Sequence, residues 1–154
     1  SLEEIIIAEM VWAATKAAAA VALMLVVLVP LGFADFPDAF VCVPLAFFGG
    51  LAFAAIGMCF TGIIPTIDMF NLPIFLFITP MFLFSGTFFP LSGIPDWARV
   101  ITFIFPLYHL VELTRFFCIG TMESNMFVNL AYLLLFFALF GYLAILAMKR
   151  RLIQ

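Results

Sequence analysis

The sequence predicts an all-α integral membrane protein with four membrane-spanning helices. Hydrophobic residues make up 68% of its 154 residues and charged residues only 10%, whereas an ordinary soluble domain carries about 25% charged residues. A chain of this length has too little interior to hide so much apolar surface from water. Lipid must therefore be the solvent for most of its surface, which excludes a soluble domain.

A spanning helix needs about 20 mostly apolar residues. Four stretches meet this requirement, and charges or turn residues separate them. The predicted spans cover residues 10–31, 39–64, 69–89 and 126–148.

The first nine residues are too acidic to belong to a span. Their glutamates and apolar residues recur at helical spacing, and Ser1 with Glu4 fits a capping box. The sequence therefore predicts a short amphipathic helix lying at the membrane surface before the first span. Its acidic residues are Glu3, Glu4 and Glu9, and its apolar residues include Leu2, Ile5 and Ile6.

Three features inside the spans carry structural predictions. Lys16 lies near the start of the first span, from which its long side chain can reach the headgroups. Gly50 and Ala54 are small residues four apart, a spacing that lets helix backbones approach closely in lipid. Pro80 lacks a backbone N–H in the middle of the third span, so we expect a kink there.

Between the third and fourth spans, no stretch is long enough to cross the membrane. Residues 96–105 and 107–118 predict two short interfacial helices separated by Pro106. In the second helix, His109, Glu112 and Arg115 stand at i, i+3 and i+6 and share roughly one face.

Two interpretations of this polar face are open. One is an interfacial patch, with a Glu112–Arg115 ion pair on the helix surface and His109 nearby. The other is a metal or acid–base site, but one histidine and one glutamate are too few ligands for zinc. We prefer the patch, and a membrane-interface transferase that uses His109 and Glu112 is the alternative.

Charge and cysteine content bound the remaining possibilities. The basic cluster of residues 149–151 predicts a cytoplasmic carboxyl terminus. Four spans then place both ends in the cytoplasm and the two short helices outside.

The scattered basic residues give no nucleic-acid surface. Cys42, Cys59 and Cys118 are odd in number and share no ligand spacing, so neither a disulfide framework nor a zinc site is indicated.

Three segments in this order resemble the ABC-2 type exporter permeases, within the branch that exports nodulation factors, polysaccharides and drugs. The first runs from Ser1 through Trp12. The second is FSGTFFPL at residues 84–91. The third begins with IPDW at residues 94–97 and continues through FPLYH at 105–109 to Glu112, Arg115 and Gly120.

The resemblance implies that the chain is a fragment of a six-helix permease domain, its four spans being the third to sixth helices. It also implies a homodimer or pseudo-dimer of permeases in the cell inner membrane, each copy driven by a separate ATP-binding cassette subunit. The chain contains no G-x-x-x-x-G-K-[ST] phosphate loop. ATP would therefore be bound by the partner, with no cofactor in this chain.

By the same resemblance, the amino-terminal helix makes the contact to the ATP-binding subunit. The carried-over coupling residues are Leu2, Glu3, Glu4, Ile5 and Glu9. The implied function is export of a lipid, a lipid-linked saccharide or a hydrophobic drug. Besides the transferase, a membrane scaffold that transports nothing is the remaining alternative.

Overall fold

The computed structural model of the chain describes residues 2–89, 93–121 and 125–152. All regular structure in these residues is helical. Four helical stretches are long and apolar enough to cross a membrane: Leu2–Leu28, Asp38–Ile63, Ile67–Phe84 and Met126–Arg151. The predicted all-α membrane fold with four spans is thus confirmed. The capping residue Ser1 and the end of the second resemblance segment, Pro90 and Leu91, lie outside the described residues.

The first span is longer than predicted. Helix α1 runs without interruption over Leu2–Leu28, so the prediction of a separate surface helix before residue 10 is wrong. The physical reason is that no glycine or proline separates the acidic start from the alanine-rich stretch that follows, and alanine is the strongest helix former. Ile6 and Met10 are buried and pack with Ala55.

Close packing joins the first, second and last spans. A 3₁₀ turn over Asp38–Val41 leads into α2, Cys42–Ile63, and the last helix, α7, covers Met126–Leu152. A Cβ added at Gly50 would lie 2.8 Å from Cα of Ala14, and one added at Gly62 would lie 2.7 Å from the carbonyl carbon of Ala147. These glycines allow backbones to touch, which confirms the packing predicted for Gly50.

The third span is irregular. A 3₁₀ turn over Ile67–Phe70 precedes α3, Asn71–Pro73, then a π-helical turn over Ile74–Ile78 and α4, Thr79–Phe84. Pro80 has no N–H for the fourth preceding carbonyl, and the wider π turn lies just before it. The Thr79 hydroxyl donates to the Ile74 carbonyl at 3.0 Å. The helix ends at Phe84, before the predicted boundary at 89, and Gly86 follows with a left-handed φ of 77°.

Two short helices occupy the stretch before the last span. Helix α5 covers Asp96–Ile104 and α6 covers Pro106–Ile119. Phe105 separates them, and their axes differ by 91°. By length and composition the bent pair could be one broken span or a re-entrant loop, although each helix alone is too short to cross. Helix α6 packs against α2 and α7, which positions its polar residues inside the protein.

Candidate functional site

The polar face of α6 is buried. Only 3% of His109 and 1% of Glu112 is exposed, so the prediction of a surface patch at the membrane interface is wrong for these two residues. Because α6 is packed against α2 and α7, the face that carries them is turned inward. The Arg115 side chain remains 35% exposed and lies at the edge of the buried cluster.

His109 joins three helices. Its Nδ1 lies 2.7 Å from Oδ1 of Asn129 on α7, and its Nε2 lies 2.9 Å from the carbonyl oxygen of Phe103 on α5. The Phe103 carbonyl can only accept, so Nε2 donates to it, and in a neutral imidazole Nδ1 must then accept. The Asn129 amide nitrogen can donate to Nδ1 if the amide oxygen and nitrogen exchange places. The ring also stacks on Tyr132, with centroids 4.0 Å apart.

Tyr132 extends the same contact. Its hydroxyl donates to the carbonyl of Ile104, the last residue of α5. The end of a helix leaves carbonyls without intrahelical partners. His109 and Tyr132 therefore take up two carbonyls at the carboxyl end of α5 and hold the bend between α5 and α6 against α7.

Glu112 and Arg115 tie α6 to the end of the third span. The predicted ion pair is present, with Arg115 Nη1 3.8 Å from Glu112 Oε1, but its carboxylate is buried. Arg115 also donates to the Gly86 carbonyl. Ser85 precedes Gly86 in the chain, and its hydroxyl lies 2.7 Å from the Thr87 hydroxyl and 2.8 Å from the Phe82 carbonyl.

This arrangement braces the fold and gives no sign of a reaction centre. Both nitrogens of His109 have partners within the protein, so neither is directed at an open cleft. Across residues 2–89, 93–121 and 125–152, no group of three or more His, Cys, Asp or Glu side chains is placed to hold a metal ion. The partners Asn129 and Tyr132 were missed in the sequence, although an asparagine in an apolar span is itself a signal of interhelical bonding.

The residues predicted to contact an ATP-binding partner lie in the first turns of α1. Glu3 forms an ion pair with Lys149 on α7, so its charge is engaged within the chain. Ile5 is 64% exposed and Glu9 is also exposed. Together with Leu2, they stand at i, i+3 and i+7 on one face, while Glu4 lies about 140° around the helix from Glu9.

An apolar cavity of about 550 Å³ opens between α1, α2, the third span and α6. Four phenylalanines are among its lining residues: Phe53, Phe60, Phe77 and Phe82. Residues from all four elements line it, among them Ala17, Gly57, Met81 and Leu110. The cavity suits a hydrocarbon chain or another apolar group.

Comparisons with known proteins agree on one family. Residues 1–119 match the family described as ABC-2 type transporter. The chain is 32% identical to Nodulation protein J of Sinorhizobium fredii over 154 residues, which is all of this chain and 59% of that relative. It is also 32% identical over 153 residues to Nodulation protein J of Rhizobium leguminosarum bv. trifolii, covering 99% of this chain and 58% of the relative.

Nodulation protein J of Neorhizobium galegae is 31% identical over 154 residues, again 100% of this chain and 59% of the relative. The chain thus spans a little under three fifths of the length of the curated relatives it matches. No solved structure is significantly similar to it.

Proposed function

Because the chain belongs to the ABC-2 type transporter family, we propose that it forms part of the membrane-spanning pathway of an ATP-driven exporter in the cell inner membrane. The observation that carries this proposal is the family match over residues 1–119, which includes three of the four apolar spans. The match makes a transport role the first choice over a transferase or a scaffold.

The energy source in this proposal is a separate ATP-binding cassette subunit. The chain carries no phosphate-loop sequence that would bind ATP. Two permease copies, identical or homologous, would each engage one such subunit. The basic cluster of residues 149–151 favours a cytoplasmic location for the carboxyl end of α7 and for the amino end of α1 that pairs with it.

The proposed cargo is a lipid, a lipid-linked saccharide or a hydrophobic drug. The apolar cavity beside the third span supports a cargo with a hydrocarbon part, since its lining offers almost no polar group.

We place the contact to the ATP-binding subunit on the face of α1 that carries Ile5 and Glu9. Leu2 lies at the edge of this face and packs against the buried cluster of Ile6 and Met10. The first nine residues carry Glu3, Glu4 and Glu9 and no basic residue, unlike the basic surface expected of a helix bound to an anionic leaflet. This segment suits a protein groove with basic residues at its rim. Glu3 supports the contact indirectly by fixing α1 to Lys149, and Ile6 takes no part because it is buried.

The experiment uses the full-length protein co-expressed with each candidate ATP-binding cassette protein of the same organism. The wild type is expected to co-purify with one of these proteins and to export cargo from inverted vesicles only when ATP is supplied. The proposal would be overturned if export did not depend on ATP, or if the protein formed no complex with any ATP-binding cassette protein.

Glu9→Lys and Glu4→Lys then test the contact face with the same change in charge. Loss of a well-packed interface anchor costs about 2 kcal/mol or more, roughly 30-fold in Kd. We expect that loss in Glu9→Lys, with normal membrane insertion, and a nearly normal complex in Glu4→Lys. Equal losses in both variants would show that overall charge, and not this face, governs the contact.

A further inference from the structure

Two of the three cysteines face each other across the fold. Cys42 is the first residue of α2, and Cys118 lies in the last turn of α6. Their Sγ atoms are 3.4 Å apart, although 76 positions separate them in the chain. The Cys42 thiol also lies 3.8 Å from the Thr114 carbonyl, one turn before Cys118.

Contacts that do not involve sulfur hold the two segments together. The backbone N–H of Asp35, in the link between α1 and α2, donates to the Cys118 carbonyl at 3.0 Å. Cys42 packs in a buried cluster with Leu25 and Ala39, against which Cys118 is also packed. Helix α6 ends immediately afterwards at Gly120, whose φ is 75°. The backbone contacts and the packed cluster therefore hold the two thiols next to each other.

We propose that Cys42 and Cys118 form an intramolecular disulfide bond in the membrane-inserted protein. The bond fastens the end of α6 to the start of α2 beside the link that follows α1. The third cysteine is excluded from this pairing because it lies 17 residues along α2 from Cys42, about 25 Å. Its thiol contacts the Phe140 carbonyl at 3.3 Å instead.

The oxidant is a disulfide, either on a thiol–disulfide exchange protein or in a small molecule. Cys118 is the more accessible thiol, and as a thiolate it attacks that disulfide and releases one thiol of the oxidant. Cys42 then attacks Sγ of Cys118 and releases the second. Two protein thiols lose two electrons and two protons, and the oxidant's disulfide gains them as two thiols.

The predicted orientation puts both thiols on the non-cytoplasmic side of the membrane. The basic cluster of residues 149–151 lies at the carboxyl end of α7 and favours the cytoplasm for that end of the bundle. Cys42 follows the link after the first span, which falls on the opposite, non-cytoplasmic side. Disulfides form and persist there, whereas cytoplasmic thiols are kept reduced.

The test is made on the full-length protein in cell membranes. The membranes are denatured in N-ethylmaleimide without reductant, and the monomer band from a non-reducing gel is digested with chymotrypsin for mass spectrometry. The expected product is a peptide pair joined through Cys42 and Cys118, two hydrogen atoms lighter than its separate parts, with Cys59 carrying maleimide. Cys59→Ser is expected to give the same joined pair, and Cys42→Ser to leave Cys118 carrying maleimide.

The proposal is overturned if wild-type Cys42 and Cys118 both carry maleimide. It is also overturned if Cys118 is recovered joined to a second copy of the chain in a dimer band. Neither result depends on the cargo or on an ATP-binding partner, so failure here leaves the transport proposal standing.

Discussion

Gly62 and Gly57 form a matched pair for testing how the spans are held together. Both are helical positions of α2, five residues apart, and the sequence gives no reason to treat them differently. A Cβ added at Gly62 would lie 2.6 Å from the Cβ and 2.7 Å from the carbonyl carbon of Ala147, whereas one added at Gly57 meets nothing within 4 Å. Because the Ala147 backbone cannot rotate away, α2 and α7 must separate to accept the methyl group.

The difference in stability follows from these distances. Replacing glycine with alanine in the middle of a helix gains roughly 0.5–1 kcal/mol. Gly57 receives this gain in full, whereas Gly62 lies one residue before the end of α2 and gains less. Overpacking costs about 1–3 kcal/mol and applies only to Gly62. Gly62→Ala is therefore expected to be about 1–3 kcal/mol less stable than Gly57→Ala, or roughly 5-fold to 150-fold in the folding equilibrium.

Reversible unfolding of both variants in detergent micelles measures this difference, with the wild type as reference. Gly57→Ala is expected to equal or exceed the wild type, and Gly62→Ala to fall below it. If the two variants unfold at the same denaturant concentration, α2 and α7 do not touch at Gly62. The close approach of these spans would then be refuted.

Three further predictions concern the polar cluster, the third span and the orientation. His109→Ala removes the hydrogen bonds that His109 makes to the Asn129 side chain and to the Phe103 carbonyl, so stability is expected to drop by about 1–3 kcal/mol with partial transport retained. Lost transport at unchanged stability would indicate a chemical role instead. Pro80→Ala restores a backbone donor and is expected to straighten the third span, so export from vesicles should change more than expression. Normal export by this variant would show that the π turn has no role in transport. After an impermeant phosphine reductant, an impermeant maleimide is expected to label Cys118 before Cys59 on intact cells, and the reverse order would overturn the predicted orientation.

Hydropathy predicted the spans because a membrane helix must satisfy its backbone internally and present apolar side chains to lipid. The same property hides which face meets protein and which meets lipid, since both surroundings are apolar. Gly50 and Gly57 show this limit: each is a glycine in α2, but a Cβ added at Gly50 would meet Ala14 on α1, whereas one added at Gly57 would meet nothing within 4 Å.

The sequence predicted which residues form the polar cluster, but it did not predict that the cluster is buried. The spacing of His109, Glu112 and Arg115 correctly places them on one helix face. Whether that face turns outward depends on α7, which supplies Asn129 from 20 residues further on. Cys42 and Cys118 are a similar case, because their encounter depends on how α6 docks against the start of α2.

The unbroken course of α1 has a mechanical consequence. At 1.5 Å per residue, its 27 residues make a rod about 40 Å long, more than the thickness of the hydrocarbon core. A separate surface helix would have put a hinge between a cytoplasmic contact and the membrane, and the hinge would absorb small displacements. A continuous helix would transmit such a displacement: if the proposed contact forms at Ile5, a sideways push there would also move Leu25 at the opposite end, where it packs in the cluster that contains Cys42.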